Sequence, residues 1–217
     1  MNHFKILNLY ACLGGNRYKW DEVADNLEIT AVELDPELAR LYQERFPNDK
    51  VIIADAHQYL LDHYKEFDFI WSSPPCPTHS RFNISMKTKR KMKYPDMNLY
   101  QEIIFLDNFF EGKYVVENVK PYYEPLIPAK VRNRHYYWTN FNLPSNVSDR
   151  VHPSMCNNKN EVAKLSVYHD YDFKKYKGTK PIQSIARNLV DYSAGKTILE
   201  TALGVINKKD VKQISLL

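Results

Sequence analysis

Short apolar runs alternate with amphipathic stretches over the first part of the chain. Mostly apolar runs predict buried strands at residues 4–10, 29–34, 51–54, 67–71 and 114–116. Apolar residues at helical spacing predict helices at residues 17–27, 36–45, 57–64 and 98–110. This strand–helix alternation predicts an α/β fold with an open, mostly parallel sheet and helices on both faces.

The pattern changes after residue 119. Pro121, Pro125 and Pro128 interrupt the chain, and residues 135–140 predict a further strand. Residues 141–186 are irregular and polar, and a helical pattern resumes at 187–203. We therefore predict a main domain at residues 1–140, a small irregular region at 141–186, and a C-terminal segment at 187–217 that returns to the main domain.

The composition is that of a globular protein with one sizeable core. The chain has 217 residues, of which 44% are hydrophobic and 26% charged. Because no apolar run approaches a membrane span and no signal-peptide pattern opens the chain, we expect a cytoplasmic protein without a membrane segment. Three cysteines without metal-ligand spacing argue against a disulfide framework and against a metal site. The net charge of +4 is small, so any affinity for nucleic acid must come from local clusters of charge.

Polar or glycine residues follow the first three predicted strands, where open parallel sheets bind their ligands. Gly14 and Gly15 form a turn that lets backbone N–H groups approach a ligand. Glu33 can accept hydrogen bonds from a ribose diol, and Asp55 from an adenine amino group. Each feature alone also fits a structural turn or a helix cap. Together they favour an adenosine cofactor, and since the dinucleotide and Walker motifs are absent, they favour S-adenosylmethionine.

A thiol and a carboxyl group follow the next two strands. Cys76 comes after Pro74 and Pro75, which restrict the backbone, and Glu117 follows an apolar run that should desolvate its carboxyl group. A small buried thiol and a surface ion pair are the ordinary alternatives. Since a thiolate needs nearby positive charge, Arg81, Arg132 and Arg134 are candidate neighbours of Cys76. The pair suits attack on a heterocycle that is protonated as it is attacked.

These motifs, taken in order, resemble those of the DNA cytosine-C5 methyltransferases. The matching segments are residues 8–15 (Asn-Leu-Tyr-Ala-Cys-Leu-Gly-Gly), Glu33, Asp55, Pro-Pro-Cys at 74–76, Glu-Asn-Val at 117–119, Arg132 and Arg134, and Arg-Asn-Leu-Val at 187–190. The resemblance covers roughly the whole chain except residues 141–186. Gly-Gly-Asn-Arg at 14–17 and Pro-Tyr-Tyr at 121–123 look like the short enzymes of bacteriophages and prophages, which implies DNA methylation of the restriction–modification type.

The resemblance implies a Rossmann-like fold that uses S-adenosylmethionine, and it assigns roles to individual residues. Cys76 would attack C6 of a flipped cytosine, Glu117 would hydrogen-bond N3 and the amine, and Arg134, helped by Arg132, would hold the O2 edge. Activated C5 would then take the methyl group. The implied cofactor-binding residues are Tyr10, Ala11, Leu13, Gly14, Gly15, Glu33, Leu34, Asp55, Ala56, Pro74, Asn188 and Val190.

A cluster of positive charge follows the reactive cysteine. The segment from Thr78 to Lys93 predicts a mobile loop that closes over DNA phosphates, with a solvated charged loop as the alternative. Its candidate DNA contacts are Ser80, Arg81, Lys87, Lys89, Arg90, Lys91 and Lys93.

The small region at 141–186 stands where the family keeps target recognition. Its shortness argues for a brief recognition sequence, a partner subunit or weak specificity. His152, Cys156 and His169 within it are expected to be surface or packing residues.

Two positions depart from the family pattern. Cys12 stands where a glycine is usual, and it would be strained if that position requires a positive φ. Lys130 stands where a glutamine is usual beside the two arginines. The alternatives to C5 methylation are an amino-methyltransferase acting on cytosine N4 or adenine N6, a catalytically silent module that binds DNA or cofactor, and methylation of RNA or of a free nucleotide.

Overall fold

The computed structural model describes residues 3–85, 88, 91–147 and 160–205. Within them, seven strands form one sheet in the order β3-β2-β1-β4-β5-β7-β6. Strands β1 to β5 are parallel to one another, whereas β7 is antiparallel to β5 and β6. The strands are β1 (Phe4–Leu9), β2 (Leu27–Glu33), β3 (Lys50–Ile53), β4 (Phe69–Ser72), β5 (Lys113–Val119), β6 (Lys130–Arg132) and β7 (His135–Thr139). The predicted mostly parallel sheet is confirmed.

Helices connect the strands and cover both faces of the sheet. The α-helices are α1 (Pro36–Arg45), α2 (Ala56–His63), α3 (Arg81–Ser85), α4 (Asn98–Phe109), α5 (Glu161–His169), α6 (Ile182–Asn188) and α7 (Tyr192–Leu203). Short 3-10 helices lie at Asn16–Glu22, Tyr64–Glu66 and Phe173–Lys175. Local chemistry explains the helix starts: the carboxylate of Asp35 accepts from two backbone N–H groups of α1, and Asp191 does the same for α7.

The strands alternate their side chains between two apolar layers. Leu7 and Ile70 point to the layer that contains α2 and α4, whereas Ile6 and Phe69 point to the layer that contains α7. Because both faces are covered, the central strands are apolar on both sides, which is why they appear in the sequence as continuous apolar runs.

Several predicted element bounds are wrong. The helix predicted at residues 17–27 is a shorter 3-10 helix at Asn16–Glu22. Leu27, the last residue of the predicted helix, is the first residue of β2. Strand β5 continues through Val119, so Glu117 lies inside the strand and not after it. The reason is tertiary, since residues 115–119 find hydrogen-bonding partners in the antiparallel strand β7.

The region predicted as irregular contains helices in its described part. Helix α5 and helix α6 fall within or across residues 141–186, and the helix predicted at 187–203 is interrupted between Asn188 and Tyr192. Leu165, Phe173 and Ile185 pack against Leu13 and Leu38 in a third apolar cluster. Residues 160–189 therefore cover the cofactor end of the sheet. The predicted division into domains stays a prediction.

Across the described ranges, no helix is both long enough and apolar enough to pass through a bilayer.

Candidate active site

The turn after β1 has an unusual backbone at the carboxyl edge of the sheet. Tyr10, Cys12 and Gly14 have φ values of 56°, 48° and 67°. A β-carbon at Gly14 would lie 2.8 Å from the Tyr42 ring, so the position excludes any side chain. The strain predicted for Cys12 is confirmed, because this residue adopts a conformation that favours glycine.

The end of the chain returns to this turn. A β-carbon at Gly15 would collide with the carbonyl oxygen of Val190, which leaves only glycine for this close approach. Asn188 is exposed at the end of α6. Val190 therefore lies at the glycine turn, and a role of Asn188 and Val190 in cofactor binding stays a prediction.

Glu33 joins the turns that follow β1 and β2. Its carboxylate is buried and accepts from the backbone N–H of Cys12 at 2.8 Å and of Asp35 at 2.9 Å. Each carboxylate oxygen has a second lone pair, so Glu33 can still accept from a hydroxyl group. Asp55 caps a helix, as the structural alternative predicted: its side chain accepts from the backbone N–H of Gln58 at 2.9 Å at the start of α2.

The remaining predicted cofactor residues differ in what they expose. Leu34 follows β2 directly and is 66% exposed. It lies between Glu33 and Asp35 in the chain and offers an apolar surface that an adenine ring could contact. Ala11, Leu13, Ala56 and Pro74 are buried, so they contribute mainly shape and backbone groups. The exposed Leu34, the strained backbone and the carboxylate of Glu33 together fit an adenosine-containing cofactor.

A buried acid that the sequence analysis did not single out lies behind this edge. Glu102 of α4 is 0% exposed and accepts from the hydroxyls of Tyr10 and Ser72, both at 2.6 Å. It also contacts Nδ1 of His57 at 3.0 Å, and this hydrogen bond raises the pKa of His57. Burial and the charge of Glu102 raise the pKa of Tyr10. One signal could have identified Glu102: it is a charged residue on the otherwise apolar face of α4.

The loop that carries Cys76 is fixed to β5 by an asparagine. The Nδ2 of Asn118 donates to the carbonyl oxygen of Pro74 at 2.9 Å. The carbonyl oxygen of Cys76 accepts from the backbone N–H groups of His79 and Ser80. Since β4 and β5 are adjacent parallel strands, this arrangement brings Cys76 to the same edge as Glu117.

Charges around Cys76 act in opposite directions. Burial and the negative charge of Glu117 raise the pKa of the Cys76 thiol to about 11, while the positive charge of Arg134 opposes them. The group is therefore a neutral thiol near pH 7. Of the three arginines predicted as neighbours, Arg134 is the one whose charge acts on this thiol.

The side chains of Arg132 and Lys130 donate hydrogen bonds to the backbone of β6, β7 and the segment that follows β7. The guanidinium of Arg132 donates to the carbonyl oxygens of Val131, Leu143 and Pro144 at 2.6–2.8 Å. The ammonium of Lys130 donates at 2.7 Å to both oxygens of Thr139 and to the carbonyl oxygen of Phe141. Both cations thus fasten the sheet edge to the segment that follows β7, and a role of Arg132 in holding a base stays a prediction.

Glu117 is 7% exposed and has a histidine neighbour that the sequence analysis did not consider. The Nε2 of His135 lies 3.6 Å from its Oε1 atom. No local pattern could have identified this contact, because the two residues come together only through the pairing of β5 with β7.

The basic segment after Cys76 is partly described. Arg81, Lys91 and Lys93 are exposed, and the Oγ of Ser80 accepts from the backbone N–H of Phe82. The predicted contacts Lys87, Lys89 and Arg90 lie outside the described residues. Asn83 is 1% exposed, and its side-chain amide exchanges two hydrogen bonds with the backbone of Lys93, at 2.8 and 3.1 Å. It thereby closes the base of the segment.

His79 anchors the other side of this segment. Its Nδ1 lies 2.5 Å from the hydroxyl of Tyr123, and burial lowers its pKa. The nearby pairing of Ser80 with Pro121 joins the loop to the residues after β5. In the described part of the chain, no group of three or more His, Cys, Asp or Glu side chains is arranged to hold a metal ion.

Comparison with known proteins gives one family match. The model of the family described as C-5 cytosine-specific DNA methylase matches residues 4–125. Among curated proteins, none is similar enough in sequence to count as a match.

Similar solved structures include several methyltransferases. A mutant of Spodoptera frugiperda DNMT2 is 27% identical, with coverage of 54% of this chain and 36% of that one and a TM-score of 0.40. A putative DNA modification methyltransferase encoded within an Escherichia coli prophage is 18% identical, with 56% and 33% covered and a TM-score of 0.38. A TehB-like SAM-dependent methyltransferase from Corynebacterium glutamicum is 16% identical, with 55% and 56% covered and a TM-score of 0.35. The chain thus spans about a third of the first two proteins.

Proposed function

Since this chain belongs to the C-5 cytosine-specific DNA methylase family and S-adenosylmethionine is the cofactor of that family, we propose that Cys76 forms a covalent bond to C6 of a flipped cytosine during methyl transfer to C5. The observation that carries this proposal is geometric: Asn118 holds the loop of Cys76 against β5 beside Glu117. Directly after that strand, the backbone N–H of Lys120 donates to the carbonyl oxygen of Arg134 at 3.0 Å. The charges of Glu117 and Arg134 both act on the thiol. A nucleophile, an acid and a cation at one sheet edge are the groups that attack on a pyrimidine requires.

Cys76 supplies the nucleophile. Because the pKa of its thiol is raised, Cys76 must lose its proton to solvent when the base enters, and the positive charge of Arg134 favours that loss. The thiolate then bonds to C6, and electron density moves to C5 and N3.

Glu117 and Arg134 stabilise the charge that this attack creates. The carboxylate of Glu117 takes up a proton from solvent as the base binds and donates it to N3 as that nitrogen gains electron density, while its other oxygen accepts from the exocyclic amine. The guanidinium of Arg134 faces the O2 edge. Groups fixed before the base arrives cost no reorganisation during the reaction, so the burial of Glu117 within β5 favours catalysis.

The cofactor would be held by the turn after β1, Glu33, Leu34 and Asp55. When bound, S-adenosylmethionine supplies an electrophilic methyl group to the nucleophilic C5 atom. The C5 hydrogen then leaves as a proton to solvent, the bond between sulfur and C6 breaks, and Cys76 is released.

The target base must leave the duplex to reach Cys76, because its C6 atom is stacked between neighbouring bases. The exposed Arg81, Lys91 and Lys93 follow the nucleophile and can neutralise phosphates on either side of the flipped nucleotide. Unstacking the base costs about 3 kcal/mol, which such phosphate contacts can offset.

A trapping experiment tests the covalent step. Duplex DNA that contains 5-fluorocytosine cannot lose a proton from C5, so after methyl transfer the enzyme should stay bonded to it. We expect a DNA–protein adduct that needs S-adenosylmethionine and maps to Cys76 by mass spectrometry, and no adduct with Cys76→Ser. The same DNA without fluorine is the control.

Product analysis separates the alternatives. Digested product should contain 5-methylcytosine, and full methyl transfer by Cys76→Ser, with methyl on N4 of cytosine or N6 of adenine, would contradict the proposal. Tight DNA binding without any methylation would indicate a silent module. Parallel assays on RNA and on dCMP identify the nucleic acid, and bisulfite sequencing of host DNA identifies the target sequence and any need for a partner subunit.

A further inference from the structure

His135 and Glu117 form a buried pair at the catalytic edge. The pairing of β5 with β7 sets Val119 opposite His135 and Glu117 opposite Tyr137. The four side chains therefore share one face of the sheet, with His135 diagonal to Glu117. The imidazole Nε2 lies 3.6 Å from Oε1 of the carboxyl group, and the two side chains are only 15% and 9% exposed.

The reaction places a geometric demand on Glu117. Its carboxyl group must present one oxygen to N3 and the amine of the base, and a rotated carboxyl group would miss both. A neighbour that donates to the opposite oxygen restricts this rotation. Catalytic hydrogen bonds are often long without substrate and shorten in the complex, so a separation of 3.6 Å fits such a contact.

We propose that His135 is a positioning residue for Glu117: its Nε2–H donates to Oε1 and orients the carboxyl group toward the edge of the flipped cytosine. The inference rests on the proposed function. His135 itself does not touch the base. Arg134 is the last residue of the turn before β7 and His135 is the first residue of that strand, so the cation of the site and the donor to its acid come from neighbouring positions.

The residues around His135 and Glu117 favour a hydrogen bond between these two side chains over simple packing. The charges of Glu117 and Arg134 both act on the Cys76 thiol, and the Tyr137 ring lies 6.3 Å from the imidazole of His135 in an edge contact that limits its movement. A histidine held by a ring on one side has few rotamers available, so its N–H can act as a fixed donor.

Two substitutions at residue 135 and one elsewhere test the proposal. His135→Leu removes the donor at similar volume, and His135→Gln retains an N–H near the position of Nε2. His63→Leu is the matched control, because His63 at the end of α2 forms an exposed histidine–glutamate pair at 2.7 Å with Glu66 of the 3-10 helix that follows. All are compared in single-turnover methylation of duplex DNA, with steady-state kcat and KM and with melting temperatures.

We expect His135→Leu to lower the single-turnover rate about 3- to 10-fold, the effect of one hydrogen bond made in the transition state, with KM values for DNA and cofactor within about twofold. His135→Gln should recover most of the rate, and His63→Leu should equal the unsubstituted protein. A leucine variant at full rate, or a glutamine variant as slow as the leucine variant, would overturn the inference.

Two further outcomes are distinguishable. If His135→Leu does not fold, His135→Gln is compared with His135→Asn, and only the longer amide should remain fast; equal rates would overturn the inference. If the unsubstituted protein does not methylate cytosine at all, the proposed function fails and this inference fails with it. An active unsubstituted protein together with an unaffected His135→Leu variant rejects the role of His135 alone.

Discussion

Among single residues, Cys76 is proposed to act as a nucleophile when DNA is bound, yet its thiol is protonated, and therefore a weak nucleophile, in the structure without DNA. Burial and Glu117 raise the pKa of its thiol to about 11, and Arg134 acts in the opposite direction. A protein that keeps this sulfur protonated until the base is bound is less exposed to oxidation and alkylation, because both reactions need the thiolate.

The pH dependence of alkylation tests this balance. The thiolate fraction rises with pH until the pKa is reached, so iodoacetamide should label Cys76 slowly at pH 7 and about tenfold faster per pH unit up to about pH 10. Arg134→Gln removes a positive charge and should slow labelling at a given pH, whereas Glu117→Gln removes a negative charge and should accelerate it. Peptide mass spectrometry distinguishes Cys76 from Cys12.

Arg132→Gln is the control for this experiment. It changes the same charge two residues away, but its guanidinium donates to carbonyl oxygens. We expect a smaller change in the labelling rate than for Arg134→Gln. Equal effects of the two substitutions would mean that the charge of Arg134 has no special influence on the sulfur.

Cys12 is the second residue whose conformation matters by itself. Its φ of 48° is tolerable for glycine and strongly unfavourable for β-branched residues. We expect Cys12→Val to lower the free energy of unfolding by about 2–3 kcal/mol, and Cys12→Gly to change it by less than about 1 kcal/mol. Urea unfolding measures both, and Cys12→Ala corrects for the lost sulfur contacts. A valine variant as stable as the original protein would refute this strain.

At the scale of elements, the basic segment after Cys76 depends on its two ends. Asn83 closes its base through the backbone of Lys93, and His79 binds it to Tyr123. These buried polar contacts replace an apolar core, which a segment rich in lysine cannot form. The described ends of the segment are therefore held, while Arg81, Lys91 and Lys93 remain exposed.

Removal of the Asn83 amide should open this segment. Asn83→Ala loses both hydrogen bonds to Lys93, so we expect trypsin to cleave between residues 85 and 93 about tenfold faster, and DNA affinity to fall. Asn108→Ala is the control, since Asn108 donates to a backbone carbonyl on the exposed side of α4. Unchanged cleavage of the Asn83 variant would show that other contacts hold the segment.

At the scale of the whole molecule, Glu102 links parts of the chain that are distant in sequence. Its carboxylate joins α4 to the ends of β1 and β4 and to α2. The helices of residues 160–189 cover the same edge from the other layer through Leu165 and Phe173. The cofactor edge is thus assembled from both ends of the chain.

Loss of Glu102 should affect stability and cofactor binding together. Glu102→Ala leaves the buried Ser72 and the partly buried Tyr10 and His57 without their shared acceptor, and we expect it to destabilise the protein by about 2–5 kcal/mol. Glu102→Gln keeps part of the network and should cost less. Denaturant unfolding and calorimetric titration with S-adenosylmethionine measure the two effects, with the exposed Glu111→Ala as control. A fully stable alanine variant would contradict this role.

The prediction of the fold from sequence succeeded where the signal is local. The bounds of α1, α2 and α4 agree with their apolar spacing to within one residue, and α1 begins at Pro36, as predicted. The region at 141–186 was misjudged because α5 and α6 bury small apolar faces against α1, which no pattern within the region reveals.

The sequence by itself determined the order of strands and helices and the chemical groups at the strand ends, because apolar periodicity and residue type are properties of neighbouring residues. Only the tertiary structure decided how those groups behave. The protonation of Cys76, the pairing of Glu117 with His135 and the network of Glu102 depend on burial and on charges brought from distant positions. Electrostatic interactions act through space, and the sequence does not record those distances.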